Sequence, residues 1–232
     1  PPPSSNRRQR QMCIRDSLKT YAPMFLNGTI VTLEQTALGA LLAIVVALIA
    51  AFMKMSSLFP VRWLGITYIE IFRGTSLLVQ MYWIFYVLPL FGITLEKFTA
   101  GFLAVGLNLG AYGAELVRGG VQAVPKGQYE AAIALNLPPA SRMRRIIFPQ
   151  ALLKMLPPWG NLLIELLKAT ALVALISVTD LMFEAKMINN RTFLSAQTFG
   201  TALIIYYIMA RFIITPGMRW LERRLAQKLS IG

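Results

Sequence analysis

Residues 130–149 read EAAIALNLPPASRMRRIIFP. They sit in the longest polar interval of the chain, between two apolar segments, and are strongly basic. Glu130 to Leu135 are mostly good helix formers, so a short helix is expected there. Asn136 tolerates a left-handed backbone, and Pro138 and Pro139 cannot continue a helix. A second short helix is expected from Ser141, a suitable N-cap, until Pro149 breaks it. The result is two helices joined by a sharp bend, a knob shaped for a groove on another protein.

Outward from this stretch, composition sets the class. The chain has 232 residues, 56% of them hydrophobic, with a mean hydropathy of +0.58, which fits a membrane protein. The net charge of +13 does not point to nucleic acid, because the basic residues lie between long apolar runs. Histidine is absent and Cys13 is the one cysteine, so within one chain neither a disulfide framework nor a Cys/His metal site is available. Residues 1–17 differ in composition from all that follows and read as a non-native or disordered leader; residues 18–232 read as a single transmembrane domain.

Five apolar segments are expected to cross the bilayer, over about 29–53, 65–90, 98–117, 156–179 and 192–214, with the loop at 125–150. The architecture is therefore an all-α integral membrane protein. In the second segment Glu70 and Arg73 are spaced to pair on one helix face. Either these charges face a protein interior or aqueous path, or Arg73 snorkels to the interface. The third segment carries Gly106 and Gly110 as a GxxxG, which allows close helix approach. Asn108 needs a partner, on another helix or on a solute. In the fourth segment, expected to begin near Pro157 and Pro158, Glu165 and Lys168 either pair with each other or line a path. With the loop inside, inner intervals hold twelve basic residues from Lys54 to Lys228, and outer ones hold Lys97, Lys186 and Arg191. That places the N terminus outside and the C terminus in the cytoplasm, although the leader's basic residues then fall on the outer side.

The 130–149 stretch resembles the EAA loop of permease subunits of binding-protein-dependent ABC importers. The family pattern is EAA, three residues, Gly, nine residues and I-x-L-P. Here Asn136 stands for the Gly and Phe148 for the Leu, with the spacing kept. EIFRGTSLLVQ (70–80), NLGAYGAELVRGG (108–120) and the 149–176 run are similar to polar-amino-acid permeases, Ser76 replacing a proline. That replacement is expected to blur the helix start there. The resemblance covers about residues 20–229.

The resemblance implies a type I importer fold and an ATP-driven permease in the bacterial inner membrane. It assigns Glu130, Ala131, Ala132, Asn136, Arg144, Arg145 and Pro149 to coupling with the ATPase. Glu70, Arg73, Gln80, Asn108, Tyr112, Glu165 and Lys168 are the candidates for the solute path. The implied partners are a cytoplasmic ABC ATPase dimer, a second permease subunit, an extracytoplasmic solute-binding protein and a small zwitterionic solute. No P-loop, G-x-S-x-G or H-E-x-x-H occurs, so no catalytic residue, metal or cofactor is expected on this chain, and ATP belongs to the partner. Runs 68–80, 107–120, 127–139 and 156–173 are similar to the ectoine/hydroxyectoine branch of the family. A path for such a zwitterion wants a cation and an acidic or aromatic group, which Arg73, Glu70, Tyr82 and Trp83 offer. A basic or polar amino acid is the alternative solute. An ion-coupled secondary transporter is the alternative class, though no internal repeat supports it.

Overall fold

The computed structural model describes the backbone of residues 4–229 and the side chains of residues 20–227. Residues 1–17, set apart above as a leader, lie outside the described side chains. Among the described residues the fold is all-helical, in line with the apolar segments. In chain order the helices are α1 (Ser4–Lys54), α2 (Phe59–Gly74), α3 (Leu77–Tyr82), α4 (Lys97–Gln122) and α5 (Lys126–Ala134). They continue with α6 (Pro139–Arg142), α7 (Phe148–Ala169), α8 (Leu181–Thr192), α9 (Ser195–Ile208) and α10 (Thr215–Leu229). Four helical stretches are long and apolar enough to cross a membrane: Thr20–Lys54, Lys97–Gln122, Pro139–Ile176 and Ser195–Gln227. At 35 residues the first is about 52 Å long, well beyond the roughly 30 Å hydrocarbon core.

The core forms around α4. Gly106 and Gly110 let α1 approach closely: a β-carbon on Gly106 would lie 2.8 Å from the Leu42 side chain, and one on Gly110 3.1 Å from Val46. The GxxxG therefore serves helix packing. Further along, α4 packs on α7 through Ala114, Val117, Met155 and Trp159 in one buried cluster. A smaller cluster joins Phe25 of α1, Leu181, Ala185 and Ile188 of α8, and Ala202 of α9.

Several boundaries differ from the sequence reading. The second segment is not one rod: Phe59–Gly74 and Leu77–Phe91 are bent by 106°. Alone, the 16 residues of α2 reach about 24 Å, too short for the hydrocarbon core. The break lies at Thr75 and Ser76, both extended (φ −119°, ψ 154° and φ −69°, ψ 133°). Ser76 thus starts the next helix as sharply as a proline would.

In the loop, α6 starts at Pro139 and not at Ser141, because proline has a preset helical φ and its missing N–H would be unpaired in a first turn anyway. Nor does Pro149 break the helix. It follows a π-helical turn over Met143–Ile147 and sits in the first turn of α7. The same arrangement recurs twice, with π-turns over Trp83–Val87 and Met209–Ile214 ending two residues before Pro89 and Pro216. A proline ring collides with the carbonyl four residues back. The extra residue of a π-turn moves that carbonyl aside, so the helix passes through. Helix α7 also runs through Pro157 and Pro158, where a start was expected; in apolar surroundings neighbouring groups hold such a helix together. The stretch after Asp180 is not simply a loop but helix α8, capped by the Asp180 carboxylate accepting from Phe183 N at 2.8 Å.

Candidate functional site

The knob is built locally. At the end of α5, Asn136 takes φ 56°. Leu137 N donates to Ala132 O at 3.1 Å and Asn136 N to Ile133 O at 2.8 Å. This paired closure is the Schellman motif, with asparagine in the left-handed place that glycine usually fills. Pro138 then prevents any continuation of the helix. Ala132 faces inward and is buried, while Ile133 (57% exposed) and Leu135 (72%) project outward. Glu130, Ala131, Asn136, Arg144 and Arg145 are also exposed, and Pro149 is half-buried.

Tethers that the sequence reading missed fix the knob to the membrane helices. Tyr129 OH donates to Val121 O of α4 at 3.1 Å. Gln150 Nε2 of α7 donates to Gln128 Oε1 of α5 at 3.2 Å. The Lys154 ammonium of α7 donates to Ala123 O, closing the α4 end. These bonds connect α5 to both α4 and α7. The signal available in the sequence was weak, since glutamine, lysine and tyrosine beside a polar loop are ordinary surface residues.

Of the intramembrane candidates, the structure brings Gln80 and Asn108 together. The break after Gly74 leaves carbonyls at the end of α2 without helical donors. Asn108 Nδ2 donates to Phe72 O at 2.9 Å and to Gln80 Oε1 at 3.0 Å. Gln80 Nε2 donates to Phe72 O at 2.9 Å and Thr75 Oγ1 at 2.6 Å. Asn108 thus has its partners on the neighbouring helices. These amides splice a broken helix that would otherwise bury unpaired backbone.

The Glu70–Arg73 pair that the spacing allowed does not form; the Arg73 guanidinium lies 5.3 Å from the centre of the Tyr112 ring of α4, in cation–π contact. The Glu165–Lys168 pair does not form either, and both side chains are exposed on α7. In both cases the i, i+3 spacing made the pairing possible, but a flexible side chain was free to turn elsewhere. Among the described residues the ion pairs that form join Lys54 to Glu115 at 2.6 Å and Arg118 to Glu115 at 2.7 Å, tying the end of α1 to α4.

A second polar cluster was also missed. Asp180 is fully buried. Tyr206 OH of α9 donates to its Oδ2 at 3.3 Å, and Leu181 N donates to Thr32 Oγ1 of α1 at 3.1 Å. Burial pushes the Asp180 carboxyl up to about 6, against the helix N–H groups and the Tyr206 hydroxyl that favour its charged form.

A knob tethered to two membrane helices, beside a bundle with a broken helix, fits the membrane subunit of a partner-driven transporter. Residues 43–227 match the family described as the inner membrane component of binding-protein-dependent transport systems. The chain belongs to that family. It is 41% identical over 212 residues to a probable amino-acid ABC transporter permease of Sinorhizobium fredii, y4tF, covering 85% of this chain and 89% of the relative. It is 35% identical over 208 residues to the L-cystine transport system permease TcyB of Bacillus subtilis, covering 89% and 88%. The crystal structure of an amino acid ABC transporter with histidines superposes with a TM-score of 0.83 at 39% identity, covering 90% of this chain and 97% of that one. Membership places this chain in the inner membrane as a permease without an ATPase site or cofactor of its own. It works with an ATPase, a second permease and a solute-binding protein. The ion-coupled secondary transporter is thereby set aside.

Proposed function

We propose that the chain is the permease through which an ABC importer takes up a polar amino acid, and that residues 125–150 form the cytoplasmic contact with the ATPase. The observation that carries the coupling role is the exposure of the apolar side chains of Ile133 and Leu135 at the end of a helix tethered to both α4 and α7. Apolar side chains at a polar surface suit a groove on a partner, and the tethers convert movement of that groove into tilting of the two helices. Placing this loop in the cytoplasm puts the C terminus there too and the N terminus outside, as the basic residues favour.

In this reading Glu70, Arg73, Tyr112, Glu165 and Lys168 are available to solute and to the second subunit, being exposed on the isolated chain. Charges in a membrane segment are costly unless they face a protein partner or an aqueous path. Arg73 on Tyr112 offers a cation to a carboxylate, and Glu70 or Glu165 an anion to an ammonium group. Gln80 and Asn108 act one step back, holding the broken helix in shape.

The names carried by similar permeases support an amino acid as solute. Ectoine is a second reading, favoured by the runs at 68–80, 107–120, 127–139 and 156–173. Uptake by proteoliposomes containing the full importer separates the two. Cystine, arginine or glutamine entering with ATP, unaffected by excess ectoine, is the expected result. Ectoine uptake that amino acids fail to inhibit would overturn the amino-acid reading and keep the transport mechanism.

A further inference from the structure

The uncharged run of the last membrane segment ends at Arg211, and the helix continues through the π-turn into α10. The stretch Ser195–Gln227 has 33 residues, about 50 Å, so its end stands clear of the roughly 30 Å hydrocarbon core. At about 100° per residue, Arg219, Arg223, Trp220 and Arg224 fall within an arc of about 140°. All four are exposed, Trp220 by 60%. Met218, Leu221 and Leu225 fall on the other side, where a β-carbon on Gly160 of α7 would lie 3.6 Å from the Met218 side chain. Gly113 of α4 meets the neighbouring Trp159, so this end of α10 lies near the level of the Lys54–Glu115–Arg118 cluster. The Arg224 guanidinium lies 5.4 Å from the centre of the Trp220 ring. Among the described residues no salt bridge engages Arg219, Arg223 or Arg224.

We propose that this arginine–tryptophan face of α10 binds the headgroups of anionic phospholipids in the leaflet on the loop side of the membrane. The inference rests on the bilayer placement given under Proposed function. Charge and depth favour a lipid. Three guanidiniums without acidic partners suit phosphate and phosphatidylglycerol headgroups, and an exposed indole at the end of an apolar span is an interfacial anchor. Arg224 stacked on Trp220 keeps one donor at the depth of the ring.

The test uses the complete importer in nanodiscs, with the Trp220 signal taken as the difference from a Trp220→Phe variant. Dibrominated phosphatidylglycerol is compared with dibrominated phosphatidylcholine as a quencher. The expected preference for the anionic lipid is at least about tenfold, since each surface arginine contributes about fivefold. Arg223→Gln with Arg224→Gln should reduce it by about tenfold or more, and the corresponding lysine substitutions should restore it. Equal quenching by both lipids, or a preference unchanged in the glutamine variant, would overturn the proposal. Absence of quenching by either lipid would show that a protein partner covers the face, and would overturn it as well. Nanodiscs expose both leaflets, so none of these outcomes depends on which side faces the cytoplasm, and coupling through the 125–150 loop is untouched by them.

Discussion

Replacing Asp180 with asparagine should remove most of one pH dependence from the folded protein. The carboxyl is fully buried, and its affinity for a proton is raised from an ordinary 3.8 to about 6. The folded state therefore holds this proton more tightly than the unfolded chain does. The resulting stabilisation is complete below about pH 4 and is lost as pH rises through about 6. Between pH 5 and pH 7.5 the difference is about 1.4 kcal/mol. Asparagine keeps the geometry: its Oδ1 can still accept from Phe183 N, and its amide can donate to the Tyr206 hydroxyl, which rotates to accept. Equilibrium unfolding in mixed micelles, followed by tryptophan fluorescence at the two pH values, measures the effect. Relative to the wild type, the variant should gain about 1.4 kcal/mol more at pH 7.5 than at pH 5. Burial also raises the Glu184 carboxyl, with the same sign, so only the difference between wild type and variant isolates Asp180. Parallel pH slopes for the two proteins would refute the reasoning.

The polar splice gives a second expectation. Asn108→Leu leaves the Gln80 side-chain carbonyl without its donor and Phe72 O with one donor in place of two, and should destabilise by about 1–3 kcal/mol in the same unfolding assay, whereas Asn108→Gln should cost less. For Gly113→Val the added β-carbon would fall 2.7 Å from the Trp159 ring, so the yield of folded protein from membranes should drop sharply; Gly119→Ala, where nothing lies within 4 Å, should leave it unchanged. Tyr129→Phe removes one tether from the loop to α4 and should weaken the link between ATP hydrolysis and uptake while leaving the fold within about 1 kcal/mol of the wild type.

What the sequence disclosed and what it hid divide along range. Asn136 was readable because its left-handed turn depends on itself and on the prolines just after it. Gly106 and Gly110 were readable because a small residue on a helix face has few other uses. The break at Ser76 was hidden, because serine in place of proline looks like a weaker signal. Its start depends on Asn108 and Gln80 taking up the freed carbonyls, and Asn108 is far along the chain. Asp180 was hidden for the same reason: its surroundings come from Tyr206 of α9 and, through Leu181, from Thr32 of α1. The i, i+3 charge spacings could not decide between pairing and another role, because spacing permits an ion pair without requiring it, and Arg73 lies on Tyr112 instead.

The measurement that bears most directly on the account is uptake and ATP hydrolysis in the same proteoliposomes, comparing wild type with Ala131→Asp. Ala131 is exposed one helical turn before Leu135, on the surface proposed to dock, so a carboxylate there should leave the permease folded but unable to seat in an apolar groove. Uptake lost, or uncoupled from hydrolysis, with the unfolding midpoint unchanged is the predicted result. Undiminished, ATP-dependent uptake by the variant would contradict the role given to the loop.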